Sequence, residues 1–150
     1  MIEIREMKAD DESDVIGFMK EFYSSPAVST NGSEEIFKRD IAACVSDSPY
    51  LNGYIFENEN QPVGYTMLAF SFSTEFGKPC VWIEDIFIAE TYRGQGLAGR
   101  FIELVRKKYP SSVIRLEVEE ENISAVRAYK KQGFRFLPYE EMITGESNGK

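Results

Sequence analysis

The sequence predicts one α/β domain of the α+β type, with a mixed, mostly antiparallel sheet flanked by about four helices. Its first half shows one strand pattern, two helical patterns and then a run of strand patterns with no helix between them. Its second half alternates strand, helix, strand, helix and strand. Adjacent strands followed by strand–helix–strand units are typical of a mixed sheet. With 150 residues, 43% of them hydrophobic, the chain can bury one core, so a single domain over residues 1–150 is expected.

The N-terminal third is predicted to contain one strand and two helices. Ile2 to Met7 alternates apolar and polar residues, as a half-buried strand does. Asp11 to Tyr23 places its apolar residues on one helical face. A loop rich in turn residues, Ser24 to Gly32, leads to Ser33, which can cap a second helix over residues 34–45.

The middle third is predicted to contain three strands. Asn52 to Glu57 and Val63 to Ser73 are strand patterns that flank a short polar turn, which indicates a hairpin. Cys80 to Ile88 is a third, strongly apolar strand that two acids, Glu84 and Asp85, interrupt. Successive side chains of a strand point to opposite faces, so the two acids are expected on opposite faces unless a β-bulge intervenes.

The C-terminal third is predicted to contain two helices and two strands. A helical pattern runs from Leu97 to Lys108, and a strand pattern follows from Val113 to Glu119. A short helix over Asn122 to Gln132 ends at a glycine, which is a common helix terminator. Phe134 to Leu137 is predicted to start a final strand, and the polar tail Thr144 to Lys150 is expected to be frayed.

The composition excludes several kinds of site. The chain contains no histidine, which removes serine–histidine and cysteine–histidine nucleophilic sites and most zinc and haem sites. Cys44 and Cys80 stand far apart in apolar settings and are interpreted as core residues. No metal is therefore expected, and acid–base chemistry must come from other side chains or water.

The charge and the hydropathy pattern limit the partners. A formal net charge of −8 argues against nucleic acid and fits a cationic partner, although solubility alone explains it as well. No apolar stretch is long enough to span a membrane, and Met1 to Asp14 lacks a signal-peptide pattern. We therefore expect a cytoplasmic protein with no membrane or nucleic-acid partner.

The most informative segment is Tyr92 to Arg100, with the sequence YRGQGLAGR. It lies between the apolar strand and the helical pattern that begins at Leu97. Glycines let a ligand approach the backbone closely, and the first amides of a helix point outward beside the positive end of its dipole. The segment therefore predicts a phosphate-binding site.

Two interpretations of this glycine turn can be compared. Gly94 to Gly99 is a literal G-x-G-x-x-G, and Glu117 or Glu119 follows at the distance expected of a ribose-binding acid in a dinucleotide fold. In that fold, however, the glycines begin almost where the strand ends, and the unit usually opens its domain. Here the segment from Ala89 to Arg93 intervenes and 79 residues precede the strand, so the dinucleotide interpretation is rejected.

The arrangement Arg93-x-x-Gly96-x-Ala98 resembles the pyrophosphate loop of the GNAT acetyltransferase superfamily. The apolar strand with its embedded acids precedes this loop, as it does in that family. The pattern Asn122-x-x-Ala125-x-x-x-Tyr129-x-x-x-Gly133-Phe134 is similar to the last helix of the family and its glycine cap. The resemblance covers residues 62–137, and it implies a sheet whose central strands splay apart.

The resemblance implies that acetyl-CoA is the cosubstrate. The glycine turn and its arginine would hold the pyrophosphate, with Arg100 nearby. A strand edge would pair with the pantetheine arm, Asn122 would hydrogen-bond that arm, and Lys131 would meet a phosphate. The implied cofactor-binding residues are Ile86, Phe87, Ile88, Arg93, Gly94, Gln95, Gly96, Leu97, Ala98, Gly99, Asn122 and Lys131.

Acetyl transfer from sulfur to nitrogen requires a proton acceptor, because a free alkylamine is charged at pH 7. Glu84, acting through a water, is the candidate base, and Asp85 is the alternative. A purely structural or solvent-exposed role for Glu84 stays open. Tyr129 occupies the position of the family's general acid, toward the departing thiolate, and a plain core tyrosine is the alternative there.

Within the superfamily, the chain resembles the spermidine/spermine and diamine acetyltransferase branch, through Ile83-Glu84-Asp85-Ile86-Phe87, Tyr92-Arg93-Gly94-Gln95-Gly96 and two shorter segments. This implies a small cationic amine as substrate, received by the acids Glu84, Asp85, Glu117 and Glu119, and it implies a homodimer. The first 60 residues and the turn at Ser73 to Glu75 depart from that branch. Protein amines, aminoglycosides and amino acids therefore stay open as acceptors, as does a non-catalytic acyl-CoA-binding domain.

Overall fold

A computed structural model describes residues 1–25 and 32–145, which form one sheet with helices on both faces. The strands are β1 (Ile2–Glu6), β2 (Leu51–Asn58), β3 (Gln61–Ser73), β4 (Lys78–Ile88) and β5 (Val113–Leu116). The α-helices are α1 (Glu12–Tyr23), α2 (Glu34–Val45), α3 (Leu97–Lys108) and α4 (Ile123–Lys131), with 3₁₀ turns at Ala9–Asp11 and Glu90–Tyr92. Residues 26–31 of the predicted loop and 146–150 of the predicted tail lie outside the described residues.

The sheet confirms the predicted mixed, mostly antiparallel architecture. Its strand order is β1-β2-β3-β4-β5, and only the β4–β5 pair is parallel. Glu59 and Asn60 both have positive φ in the β2–β3 turn, as a tight hairpin connection requires. The hairpin predicted from the polar turn is therefore present.

Each face of the sheet carries its own apolar core. On one face, α1 and α2 contribute the buried side chains of Val15, Met19 and Phe37. On the other face, α3 contributes buried side chains that include Phe101 and Val105. The sheet, including β4 and β5, therefore lies between two helical layers.

The central strands diverge between β4 and β5. The parallel pairing runs from Cys80 opposite Val113 to Ile83 opposite Leu116, and β5 ends there. β4 continues to Ile88 while remaining paired with β3 on its other edge. The strand predicted to reach Glu119 is thus shorter, and β4 beyond Ile83 has no neighbouring strand on the β5 side within the described residues.

The final strand predicted at Phe134 to Leu137 is wrong, because this segment folds back on α4. The amide of Phe134 donates to the carbonyl of Tyr129 at 3.1 Å, and their rings meet edge to face at 5.8 Å. Further along, Lys130 lies over the ring of Phe136 at 5.5 Å. These contacts stabilise the helix terminus, and β5, with only four residues, offers a short edge for further pairing.

Candidate active site

A β-bulge lies at Glu84, in the centre of the site. Met67 of β3 pairs with Asp85 and the next residue, Leu68, pairs with Ile83, so Glu84 is the extra residue on β4. A bulge reverses the alternation of side chains beyond it. Accordingly, Ile83 before the bulge and Ile86 after it pack on the same core, and Asp85 lies on the opposite face.

Asp85 is buried on the face that α1 and α2 cover, with 6% of its surface exposed. Its carboxylate accepts a hydrogen bond from the Tyr65 hydroxyl at 2.8 Å and from the Tyr23 hydroxyl at 3.1 Å. Burial raises the pKa of Asp85, and the two phenols oppose this by stabilising the charged form. The sequence predicted this acid but not its two phenolic partners, which come from β3 and from the end of α1.

Glu84 and Asp40 extend this acidic region. Glu84 is exposed, yet partial burial, then the charges of Asp85 and Glu141, raise its pKa. Asp40 is half-buried on α2, and burial, followed by the charge of Asp85, raises its pKa to about 6. Asp40 was missed by the sequence analysis, although its position three residues after the inward-facing Phe37 was a usable signal.

Two further carboxyl groups meet beside Glu84. Glu117 follows β5, and a hydrogen bond with Glu141, then burial, raises its pKa to about 7. Glu141 belongs to the segment after α4 and carried no signal in the sequence. Glu119 was also predicted to bind substrate. Its backbone carbonyl accepts a hydrogen bond from the amide of Asn122 at 3.0 Å, in the turn before α4.

The glycine turn has the geometry expected of a phosphate site. Gly94 and Gly96 have φ of 77° and 76°, and a Cβ at either position would meet open space. Gly96 is the N-cap of α3, so the outward-facing first amides of the helix, which begins at Leu97, lie directly beyond it. Glycine is needed here for the left-handed backbone and leaves the turn open to a ligand.

An open groove of about 1250 Å³ lies between this turn, α3 and α4. Of the predicted cofactor-binding residues, Ile88, Arg93, Gly94, Gly96, Leu97, Ala98, Gly99 and Lys131 line it. Seven of the 17 cationic residues of the chain also line it, but only two of the 25 acids, Glu6 and Glu103. These cations are Arg5, Arg93, Arg100, Lys107, Lys108, Arg127 and Lys131. An acidic chain thus presents a basic groove beside the glycine turn.

The two arginines near the turn have protein partners. The Nε of Arg93 donates to the carbonyl of Ile88 at 2.6 Å, and its guanidinium lies 5.3 Å from the centre of the Phe87 ring. Arg100 donates to the carbonyl of Ile2 at 2.8 Å and so anchors β1. Arg93 therefore connects the glycine turn to the end of β4, whereas Arg100 has a structural partner.

Asn122 and Tyr129 lie at the start and in the body of α4. The side-chain oxygen of Asn122 accepts from the amide of Ala125 at 3.4 Å and caps the helix. Tyr129 is half-buried against the same core as Ile86 and Ile88, and burial raises the pKa of its phenol. The tyrosine therefore packs on the same face of the sheet as Ile86 and Ile88.

Residues 1–25 and 32–145 contain neither a metal-binding cluster nor a membrane-spanning helix. No group of three or more cysteine, aspartate or glutamate side chains there is arranged to hold a metal ion. None of the helices in these ranges combines the length and the apolar character that crossing a membrane demands.

The sequence model described as the acetyltransferase (GNAT) family matches residues 11–134. The chain belongs to this family. The family model and the named relatives together identify a GNAT-family N-acetyltransferase.

The names of two relatives state the substrate on which each acts. Thialysine N-epsilon-acetyltransferase of Mus musculus is 30% identical over 151 residues, which cover 92% of this chain and 86% of the mouse protein. Spermine/spermidine N(1)-acetyltransferase of Bacillus subtilis (strain 168) is 37% identical over 60 residues, 37% of this chain and 40% of that protein.

The solved structures agree with the fold. Aminoglycoside N-acetyltransferase AAC(6')-Iy, determined in complex with CoA, superposes with a TM-score of 0.74 at 17% identity. The match covers 98% of this chain and 95% of that one. The TM-score shows that the two chains share a fold.

Proposed function

We propose that this protein transfers the acetyl group of acetyl-CoA to a primary amine of a small cationic acceptor, of the polyamine or diamine class. The observation that carries the proposal is the opposite charge of the two regions that β4 connects. Ile88, at the end of β4, lines the basic groove, and Glu84 lies in the acidic region. At about 3.3 Å per residue, four residues of strand separate the two by roughly 13 Å.

The basic end suits the anionic donor. A pyrophosphate binds well at a helix N-terminus, and the glycine turn at the start of α3 leaves its amides free of side-chain crowding. The stretch of β4 beyond Ile83 lies beside this turn and has an edge that an extended amide-containing arm can pair with. We infer that the pantetheine arm runs along Ile86, Phe87 and Ile88 toward the acids.

The acidic end suits the cationic acceptor. The charge of Glu84 contributes to the raised pKa of both Asp40 and Glu117, and the charges of Asp85 and Glu141 contribute to that of Glu84. Glu84 therefore lies within electrostatic range of the other four carboxyl groups. A second ammonium group on the acceptor would be stabilised there, while a nearby amine approaches the thioester. The named activities of the mouse and Bacillus relatives are consistent with such an acceptor.

The chemistry is direct attack, with no covalent enzyme intermediate. The amine nitrogen forms a bond to the acetyl carbonyl carbon, and the carbon–sulfur bond breaks. The amine loses a proton to Glu84 through a water, and the raised pKa of Glu84 makes it a better base than an ordinary carboxylate.

Tyr129 acts as the acid toward the departing sulfur. Burial raises the pKa of its phenol, which keeps the phenol protonated at neutral pH. Because a phenol is a weaker acid than a thiol, its main contribution is the hydrogen bond that stabilises the charge developing on sulfur. A proton donated to the thiolate is then regained from solvent.

The test measures thiol release from acetyl-CoA with spermidine, spermine, putrescine, thialysine, lysine, an aminoglycoside and a short peptide. We expect turnover with the polyamines and the diamine. Tyr129→Phe should lower kcat by about 10²- to 10⁴-fold, the usual contribution of a positioned acid or base. Tyr50→Phe, which changes an exposed tyrosine with no role in the site, is the matched control.

Turnover confined to the peptide or the aminoglycoside would show that the acceptor class is wrong. Equal rates for Tyr129→Phe and the wild type would remove Tyr129 as the acid. Tight acetyl-CoA binding without turnover on any acceptor would favour a binding domain over an enzyme with this substrate class.

A further inference from the structure

One cation beside the acidic region has no anionic partner. Arg115 lies on β5, partly buried, with its guanidinium carbon 4.7 Å from the centre of the Trp82 ring. In the described part of the chain, its N–H groups donate to no acceptor and it forms no ion pair. A guanidinium that lies over a ring still has its N–H donors available. Because burying an unpaired charge is unfavourable, this arrangement favours an anionic ligand.

The carboxylates of this region have other partners. Glu75 accepts a hydrogen bond from the hydroxyl of Tyr139 at 2.9 Å. That hydrogen bond raises the pKa of Tyr139 and the charge of Arg115 opposes the rise, so the guanidinium lies within electrostatic range of this tyrosine. Glu117, two residues after Arg115, shares a hydrogen bond with Glu141. Neither Glu75 nor Glu117 therefore neutralises the guanidinium.

The alternation of the two strands places Arg115 on the same face of the sheet as the candidate base. Both neighbours of Arg115 on β5, and both neighbours of Trp82 on β4, pack on the core to which α3 contributes. Arg115 and Trp82, which are also register partners, therefore lie on the opposite face. Glu84 follows Trp82 by two residues on that same face, and roughly 7 Å of strand separates them.

We propose that Arg115 binds a carboxylate of the acceptor, which makes a diamino acid the preferred acceptor within the diamine class. The proposal rests on the proposed function, because it takes Glu84 as the base for the reacting amine. An extended lysine spans about 7 Å from its carboxyl carbon to its distal nitrogen, which is similar to the strand distance between Trp82 and Glu84. Arg115 binds the carboxylate through two parallel N–H···O bonds. The distal amine loses a proton toward Glu84 and forms its bond to the acetyl carbon, and the carbon–sulfur bond breaks.

The surrounding charges suit the head group of an amino acid better than a chain of amines. An amino acid carries its ammonium and its carboxylate on one carbon, and Glu117 and Arg115 are two residues apart. The ammonium therefore has a carboxyl group nearby while the carboxylate binds the guanidinium. A polyamine brings only positive charge to Arg115, and this repulsion lowers its affinity without preventing its acetylation.

Steady-state kinetics with L-lysine and with cadaverine, the same diamine without the carboxylate, test this assignment. We expect the wild-type kcat/KM for lysine to exceed that for cadaverine by about 10- to 100-fold, the usual contribution of hydrogen bonds between charged groups. Arg115→Met keeps an unbranched side chain beside Trp82 and removes the charge. It should lower kcat/KM for lysine about 10- to 100-fold, chiefly through KM, and leave the value for cadaverine unchanged or higher.

Two further variants separate carboxylate binding from a general effect of charge. Arg115→Lys keeps the positive charge but not the two parallel donors, so it should retain only part of the preference for lysine. Lys38→Met is the matched control, because it removes one positive charge from the exposed side of α2, where Lys38 pairs with Glu34. It should keep the wild-type ratio of the two acceptors.

Three results would overturn the proposal. Equal wild-type kcat/KM for lysine and cadaverine would show that no residue reads the carboxylate, with the proposed acetyl transfer to diamines left intact. An equal loss with both acceptors in Arg115→Met would show that the guanidinium supports the structure of the site instead. Absence of wild-type turnover with either acceptor would remove both this assignment and the proposed diamine class.

Discussion

At the scale of single residues, Asp85 is the unusual one. Among the described residues its buried carboxylate is held by two phenols, Tyr23 and Tyr65, and by no cation. Burying an acid without a cationic partner destabilises the folded state, and such unfavourable groups are often found at functional sites. Its charge is the second cause, after burial, of the raised pKa of the neighbouring Glu84.

Asp85→Asn should therefore shift the acidic limb of the pH profile of kcat/KM to lower pH. Removing the neighbouring charge lowers the pKa of Glu84, so this base is ionised, and the enzyme active, at a lower pH. The profile with the best acceptor is the measurement. Asp14→Asn, on the exposed first turn of α1, is the control and should leave the limb in place. An unshifted limb in Asp85→Asn would mean that Asp85 is protonated in the native protein or that Glu84 is not the base.

At the scale of elements, the glycine turn needs glycine for two reasons: the left-handed conformation of its backbone, and the open space that a ligand would occupy. Gly96 has a left-handed conformation at the N-cap of α3, and open space surrounds it. Left-handed backbone costs an L-residue roughly 1–2 kcal/mol. A side chain there would therefore be strained, even though it would not collide with a neighbour.

Gly96→Ala should lower the free energy of unfolding by about 1–2 kcal/mol and weaken acetyl-CoA binding, because the new methyl group points into the open turn. Gly17→Ala is the matched control. Gly17 lies inside α1 with no atom near its added Cβ, and alanine should raise stability by about 0.5–1 kcal/mol there. Urea unfolding and calorimetry measure both effects. Equal responses of the two variants would show that the left-handed turn is unimportant.

At the scale of the whole molecule, charge is separated along one strand. The chain carries a net charge of −8, yet the groove by the glycine turn is basic and the region around Glu84 concentrates acids. Such a separation of charge favours an anionic ligand at the basic end and a cationic ligand at the acidic end, and so orients the two ligands relative to each other. It also brings acids together that raise one another's pKa.

This clustering makes the stability of the fold depend on pH. The pKa of Glu117 is raised to about 7 and that of Asp40 to about 6, so the folded state binds more protons than the unfolded state between about pH 4.5 and 7. The stability that these groups contribute is present below this window and is lost as the pH rises through it. We expect the melting temperature to fall between pH 5 and pH 8.

Glu117→Gln should flatten this fall, because the glutamine keeps a hydrogen-bonding group beside Glu141 and cannot ionise. Thermal unfolding at several pH values provides the measurement. Glu120→Gln, three residues away and exposed, is the control and should retain the wild-type slope. A slope that is unchanged in Glu117→Gln would show that the pair with Glu141 does not share a proton.

Much of the element order could be predicted from the sequence, because its signals are local. Ser33 accepts from the amide of Ile36 at 3.2 Å as the predicted cap, and the two-residue turn of the β2–β3 hairpin has the predicted place. The glycine turn was recognisable for the same reason, since consecutive residues carry the whole pattern. The predicted strand at Phe134 to Leu137 failed because a strand needs a neighbouring strand, which no local pattern shows, and this segment contacts α4 instead.

The sequence by itself determined the fold class, the GNAT membership and the positions of Glu84, Asp85, the glycine turn and Tyr129, because periodicity and short motifs lie within one element each. Only the tertiary structure decided which residues meet. It placed the bulge at Glu84, the phenols of Tyr23 and Tyr65 on Asp85, and Glu141 beside Glu117. These contacts join segments far apart in the chain, and their energies depend on burial and distance in three dimensions, which no local pattern encodes.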